Sequence, residues 1–340
     1  MKVLFIGGTG NISTAVSRLA VDKGIDLYHL NRGNQKVELK GVKTIKCDIS
    51  NKAEAAKALA GHEWDVVVNW VAFKPADVER DFELFNKKTK QYIFISSASA
   101  YQKPVSHPLI TESTPLKNPY WDYSRDKIAS EEKCNQLYRE KDFPITIVRP
   151  SLTYETVIPV AIGSWNDYTI ADRMIQGKPI IVHGDGTSLW TVTHSEDFGR
   201  GFIGLLGHQQ AIGHAFHITS DEILNWDQIY QAVGAAVGIT PNIVHIPTDF
   251  ICREAEKIDW IWMGGKFQEG NLKGDKAVST IFDNTKIKTF VPEFKAVIPF
   301  NKGIKRTIEW FQADKSRMVV HADYNKFMDT IVTAFEKATK

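Results

Sequence analysis

The sequence predicts an α/β fold: a doubly wound parallel sheet with a smaller, interleaved C-terminal α/β lobe. Three observations predict it. Short apolar runs alternate with amphipathic stretches over residues 1–150. A glycine-rich turn, Gly7-Gly8-Thr9-Gly10, stands between the first apolar run and the first amphipathic stretch. The alternation stops after Arg149-Pro150, where residues 151–190 become rich in Trp, Tyr, Pro and Gly.

In order, Val3–Ile6 reads as a strand. Ile12, Val16, Leu19 and Ala20 recur at helical spacing, and Gly24 stands where a helix C-cap belongs. Leu27–Leu30 and Val42–Ile45 are the second and third strands, and Ala53–Leu59 is a helix. Val66-Val67-Val68 is a continuous apolar run, as a strand buried on both faces requires. Residues 76–88 are helical, Tyr92–Ile95 is a further buried strand, residues 123–140 form a long polar helix, and Ile145–Val148 closes the set. Beyond it, helices are expected near 167–177, at 196–206 and at 226–237, with a short strand at Ala215–Ile218. Trp260, Trp262 and Gly264-Gly265 mark an aromatic loop.

Composition excludes several classes. With 43% hydrophobic and 24% charged residues, the 340-residue chain is a folded globular protein and not a disordered one. The net charge of +2 and the absence of a basic, aromatic-interleaved patch argue against nucleic acid as a partner. No apolar stretch approaches membrane-spanning length, and one Lys before a four-residue apolar run does not read as a signal peptide. Cys47, Cys134 and Cys252 are widely spaced and odd in number, so the expected setting is a reducing cytoplasm. His214 and His217 lie three apart in a strand and face opposite ways, so no metal site is expected.

Gly7-Gly8-Thr9-Gly10-Asn11-Ile12-Ser13 follows a strand and opens a helix. Glycines there let the backbone approach a pyrophosphate, and the helix N-terminus supplies free N–H donors, which is the Rossmann arrangement for a dinucleotide. Ser13 replaces the third glycine and is small enough to keep helix and sheet close. After the second strand, an acidic residue would select NAD. Asn31 is neutral and Arg32 can pair with a 2′-phosphate, so NADP is favoured over NAD. Asp48-Ile49 are placed at the adenine, and Asn69, Val71 and Ala72 along the cofactor.

Tyr123 and Lys127, at i and i+4, share one helical face just upstream of the last strand. A tyrosine of ordinary pKa, about 10, is a poor base at neutral pH. An adjacent ammonium and an oxidised nicotinamide are expected to lower it. Ser97, past the C-terminal end of a buried strand, is the choice to bind the reacting oxygen, with Ser96 and Ser99 as alternatives.

Taken together, Gly7–Ser13, Asn69–Ala72, Ile95–Tyr101, Tyr123–Lys127 and Arg149-Pro150 resemble the extended short-chain dehydrogenase/reductases, the NAD-dependent epimerase/dehydratase group. Gly184–Thr187, His194–Asp197, Asp283-Asn284 and Lys286 are similar to the same group's later segments. Leu30–Gly33 and Lys74–Asp81 look like its atypical branch, which includes the chloroplast stem-loop-binding proteins and their bacterial relatives. The resemblance implies an NAD(P)-dependent epimerase or oxidoreductase acting on a sugar-like hydroxyl or carbonyl, with Tyr123, Lys127 and Ser97 catalytic. It implies cofactor contacts at Gly7, Thr9, Gly10, Asn11, Ile12, Asn31, Arg32, Asp48, Ile49, Asn69, Val71, Ala72, Ser96, Tyr123, Lys127 and Pro150. It also implies a homodimer through the helices at 77–88 and 123–140.

Three departures qualify the resemblance. Leu152 stands two residues before Tyr154, where the group's nucleotide-sugar enzymes carry Asn. Trp190 stands four before His194, where they carry the Arg that grips the pyrophosphate. Ala98-Ser99 follow Ser97, where sugar dehydratases carry Asp-Glu. Ser99, Tyr154 and Trp190 are the expected substrate contacts, and Trp165, Trp260 and Trp262 are further candidates for a sugar-stacking wall. Residues 1–150 are expected to hold the dinucleotide and 151–340 mainly the substrate, with 188–225 and 280–290 returning to the first lobe. A non-catalytic RNA-binding or regulatory protein is the competing expectation. The complete Ser/Tyr/Lys set speaks against it.

Overall fold

The computed structural model describes residues 1–34, 39–258 and 269–340; Trp260, Trp262 and Gly264-Gly265 lie outside the described residues. Seven parallel strands form the central sheet: β1 (Lys2–Ile6), β2 (Asp26–Asn31), β3 (Lys43–Lys46), β4 (Val66–Asn69), β5 (Tyr92–Ile95), β6 (Ile145–Pro150) and β7 (Ala215–Ile218). Their spatial order is β7-β6-β5-β4-β1-β2-β3. The chain leaves β1 toward β3 and then returns to the other side through β4. The β1/β4 boundary is therefore a topological switch point, and the crevice at its carboxyl end is where such sheets bind ligands.

Period-two alternation distributes β1 between two cores. Val3 and Phe5 join Val16, Phe198, Phe202 and Ile287 on one face. Leu4 and Ile6 join Ala55, Val78, Leu84, Cys134 and Leu137 on the other. The first face is covered by α1 (Asn11–Asp22), and the second by α2 (Lys52–Ala58), α3 (Pro75–Phe85) and α4 (Asp122–Lys141). Helix α1 ends where Gly24 takes φ +72°, a left-handed value that costs glycine little. Helices α3 and α4, the pair expected to meet a second copy, pack side by side.

The long polar helix of the sequence is α4, and its polarity has a structural cause. Its buried face carries Ser124, Lys127, Ser130, Glu131 and Cys134 rather than an aliphatic stripe.

Two later segments come back to the sheet. Ala215–Ile218 forms its edge strand β7, and helix Ser195–Leu205 packs on α1, with helix Thr285–Phe290 against both. Between them, Leu189–Trp190 pairs with Leu224–Asn225, and Val192–His194 with Leu152–Tyr154, outside the main sheet. The second core gathers around a parallel pair, Ile180–His183 with Ile243–Ile246. Helices Trp226–Ala236, Thr248–Glu256, Phe300–Gln312 and Ala322–Thr339 surround it. Among the described residues no helix is long and apolar enough to cross a membrane.

Candidate active site

A cavity of about 890 Å³ opens along the carboxyl ends of β1, β4 and β5 and runs on to the second lobe. Its floor is the glycine turn. Gly7 and Gly8 take φ +95° and +100°, which side-chain-bearing residues rarely adopt. A Cβ on Gly8 would come within 2.6 Å of the His29 ring, so only glycine fits this close approach. Ser13, at the third glycine position, is buried and accepts the Gly10 N–H at 2.9 Å. The departure from glycine thus closes the turn rather than loosening it. Asn11 donates to the Thr153 carbonyl at 3.0 Å, while its Oδ1 is buried without a partner beside the cavity. An orphan acceptor and the first-turn amides of α1 suit an anionic, hydroxyl-bearing group such as a dinucleotide.

Most of the expected cofactor residues line this one cavity: Gly7, Thr9, Gly10, Asn11, Ile12, Asn31, Arg32, Asp48, Ile49, Val71, Ser96, Tyr123, Lys127 and Pro150. Two do so only indirectly. Asn69 is fully buried; it accepts the Val71 N–H at 2.8 Å, donates to Asp81, and so shapes the loop after β4. Ala72 is buried and contributes its carbonyl to Lys127 at 2.6 Å.

Tyr123 sits in the first turn of α4 and Lys127 one turn later. The Lys127 ammonium donates to the Ala72 and Ile95 carbonyls at 2.6 and 2.8 Å, and lies 4.6 Å over the Phe73 ring. Burial lowers its pKa to about 8. The Tyr123 hydroxyl lies near Ser97, whose hydroxyl favours the phenolate. Ser97 also pairs with the Ser99 hydroxyl at 2.9 Å, which receives Ser124 at 2.8 Å. Of the three serines, Ser97 is thus the one on the phenol. Ser96 is committed to Glu131, and Ser99 is buried behind Ser97 while still touching the cavity wall.

Of the two groups expected to lower the Tyr123 pKa, the Lys127 ammonium does not do so by itself. Burial raises it, the neighbouring Ser97 hydroxyl only partly offsets this, and the nearby Asp275 carboxylate raises it further. The Lys127 protons go to two backbone carbonyls, and its nitrogen stands 5.8 Å from the phenol ring centre, so burial outweighs it.

Two expected substrate contacts are also corrected. Tyr154 is fully buried, edge-on to His194 and Phe300, and Trp190 is buried against Trp226; neither lines the cavity. Trp165 does line it. Sequence reasoning missed Arg80, Trp121, Asp275 and Lys276, which all line the cavity. Arg80 lay within the Lys74–Asp81 segment already singled out; nothing local marked the other three.

Residues 3–219 match the model of the NAD dependent epimerase/dehydratase family. The chain is 23% identical over 268 residues, 77% of its length and 74% of the relative's, to the 2'-dehydrokanamycin reductase of Streptomyces kanamyceticus. It is 26% identical over 265 residues, 73% of its length and 67% of the relative's, to the chloroplast stem-loop binding protein of 41 kDa b of Arabidopsis thaliana. Its fold superposes with a TM-score of 0.70 at 18% identity on the UDP-glucuronic acid 4-epimerase of Bacillus cereus in complex with NAD, covering 95% of this chain and 100% of that one. With a parallel sheet wound about a glycine turn and a family match over most of its length, the chain belongs to the NAD-dependent epimerase/dehydratase family.

Proposed function

We propose that the protein is an NAD(P)-dependent oxidoreductase or epimerase acting on a hydroxyl or carbonyl of a sugar-like substrate. The observation that carries this reading is the placing of Tyr123 and Ser97 together on the cavity wall beside the fixed Lys127, at the cavity end away from Arg32. A nicotinamide held over this end supplies hydride acceptance and donation at the carbinol carbon. Tyr123 takes or returns the hydroxyl proton, Ser97 holds the substrate oxygen against it, and Lys127 keeps a positive charge within the reach of the phenol. Gly7, Gly8, Gly10 and the amides of Asn11 and Ile12 hold the pyrophosphate, and Asp48-Ile49 the adenine. An epimerase returns the hydride to the opposite face of the same carbon; a reductase releases oxidised cofactor. The same three residues serve both outcomes, and both kinds of enzyme occur among the relatives.

Arg32 is exposed at the cavity rim, and Asp48 lies within the electrostatic reach of both Arg32 and Arg80. The exposed Arg32 guanidinium favours a 2′-phosphate, and hence NADP, while Arg80 is paired with Asp77 and Asp81. Replacing Arg32 by Ala should weaken NADPH by about tenfold or more while leaving NADH within about twofold. Fluorescence titration of the variant with each nucleotide checks this. Equal loss for both, or none, removes the NADP preference.

A further inference from the structure

We propose that the substrate is an uncharged sugar or polyol ring carrying no nucleoside diphosphate, and that Asp275 and Lys276 recognise two of its hydroxyls. This rests on the reading of the site as a hydride-transfer centre and names its substrate class.

Asp275 and Lys276 end a π-helical turn, Leu272–Lys276, a geometry found mostly at functional sites. Both line the cavity, although they are only 7% and 5% exposed, and their side chains are ion-paired with each other. A buried ion pair is weak evidence for stability, since a well-packed apolar pair often does as well. Retaining one on a cavity wall points to a ligand. The carboxylate accepts from one hydroxyl and the ammonium donates to another, while the two charges cancel and offer nothing net to an ionic substrate.

The other cavity cations are committed elsewhere. Arg80 is paired with Asp77 and Asp81, Lys127 is bonded to two carbonyls, and Arg32 stands at the opposite end of the cavity. A second pyrophosphate, away from the amides at the start of α1, calls for a guanidinium fork or net positive charge. Among the described residues lining the substrate end, the cations are Lys127, bonded to backbone carbonyls, and Lys276, already paired with Asp275. Its ammonium also lies 4.8 Å over Trp190 and 5.5 Å over Trp165, which fixes it in place.

The pair is tied to the reacting hydroxyl. The Asp275 charge is felt by Tyr123, and buried Asn118 donates at 2.8 Å to both the Ser99 and Gly274 carbonyls. One side chain thus sets the distance between the catalytic loop and the π turn. Trp121, whose ring centre lies 4.8 Å from that of Tyr123, and Trp165 supply apolar walls for the C–H face of a ring.

The test is calorimetric titration of the protein saturated with oxidised cofactor. The probes are methyl glucoside, methyl galactoside, methyl mannoside, myo-inositol, glucosamine, glucuronate and UDP-glucose. The tightest binder is expected to be neutral. A tightest binder that is a UDP-sugar, an amine or a carboxylate, or no binding by any probe, overturns the proposal. Asp275→Asn and Lys276→Met should each weaken the best neutral probe by about tenfold or more. Cofactor affinity should stay unchanged, which also certifies that the variants are folded; if one loses it, the other decides. Unchanged probe affinity removes the pair from recognition. Cofactor that fails to bind the unmodified protein overturns the hydride-transfer reading itself, a result distinct from cofactor binding with a charged preference.

Discussion

Replacing Tyr123 by Phe is expected to lower turnover by about 10²–10⁴-fold and to change cofactor affinity by less than about twofold. The ring remains, so the contacts with Trp121 and Phe73 and the packing of the first turn of α4 survive. What is lost is the phenol oxygen near Ser97, which the proposed mechanism uses to exchange a proton with a substrate hydroxyl. A second readout separates a proton carrier from a packing residue. Without cofactor, burial and Asp275 hold the phenol above its ordinary pKa. The alkaline absorbance titration of unmodified protein minus variant should therefore show one tyrosine ionising above about 10. Oxidised cofactor should move that ionisation downward, because its positive ring favours the phenolate. A variant with near-full turnover, or a difference titration insensitive to cofactor, would remove Tyr123 from the chemistry.

Replacing Glu131 by Gln is expected to destabilise the fold by about 3–5 kcal/mol, read from denaturant or thermal unfolding. Glu131 accepts both guanidinium arms of Arg149, at 2.9 and 2.6 Å, and the Ser96 hydroxyl as well. Their side chains are 1% and 6% exposed. Burial works against the charge of Arg149; the hydrogen bonds and charge of Glu131 more than offset it, and its pKa is raised. Neutralising the carboxylate strands a guanidinium that stacks on Tyr101 in the interior. Arg18, by contrast, is 43% exposed in its pair with Glu155, and its replacement should cost far less. Glu131 also holds the hydroxyl of Ser96, the residue before Ser97, so the same variant should lose activity along with stability. Equal stability losses at the two pairs would contradict this.

The first lobe was legible because its signals are local. The turn after β1 needs glycine at a left-handed φ and at a close approach to His29, and both needs leave glycine in the sequence. Tyr123 and Lys127 are one helical turn apart, so spacing alone puts them on one face. The second lobe was read only in part, because its organising contacts are distant in sequence. The pairing of Ile180–His183 with Ile243–Ile246 spans some sixty residues, and neither strand alternates clearly enough to stand out. The turn that carries Asp275 and Lys276 is tied to the loop at Ser99 through Asn118, a link between segments that no local pattern encodes. Tyr154 and Trp190 were misplaced for the converse reason. Aromatic residues suit a sugar wall and a core alike, and only the fold shows that these two are packed among other rings.

The central claim is that the glycine turn and the Ser97–Tyr123–Lys127 group form one site for a pyridine nucleotide. Calorimetric titration of the unmodified protein with NADPH and with NADH tests it most directly. The account predicts saturable binding of one nucleotide per chain, with NADPH the tighter. No saturable heat from either nucleotide would contradict it.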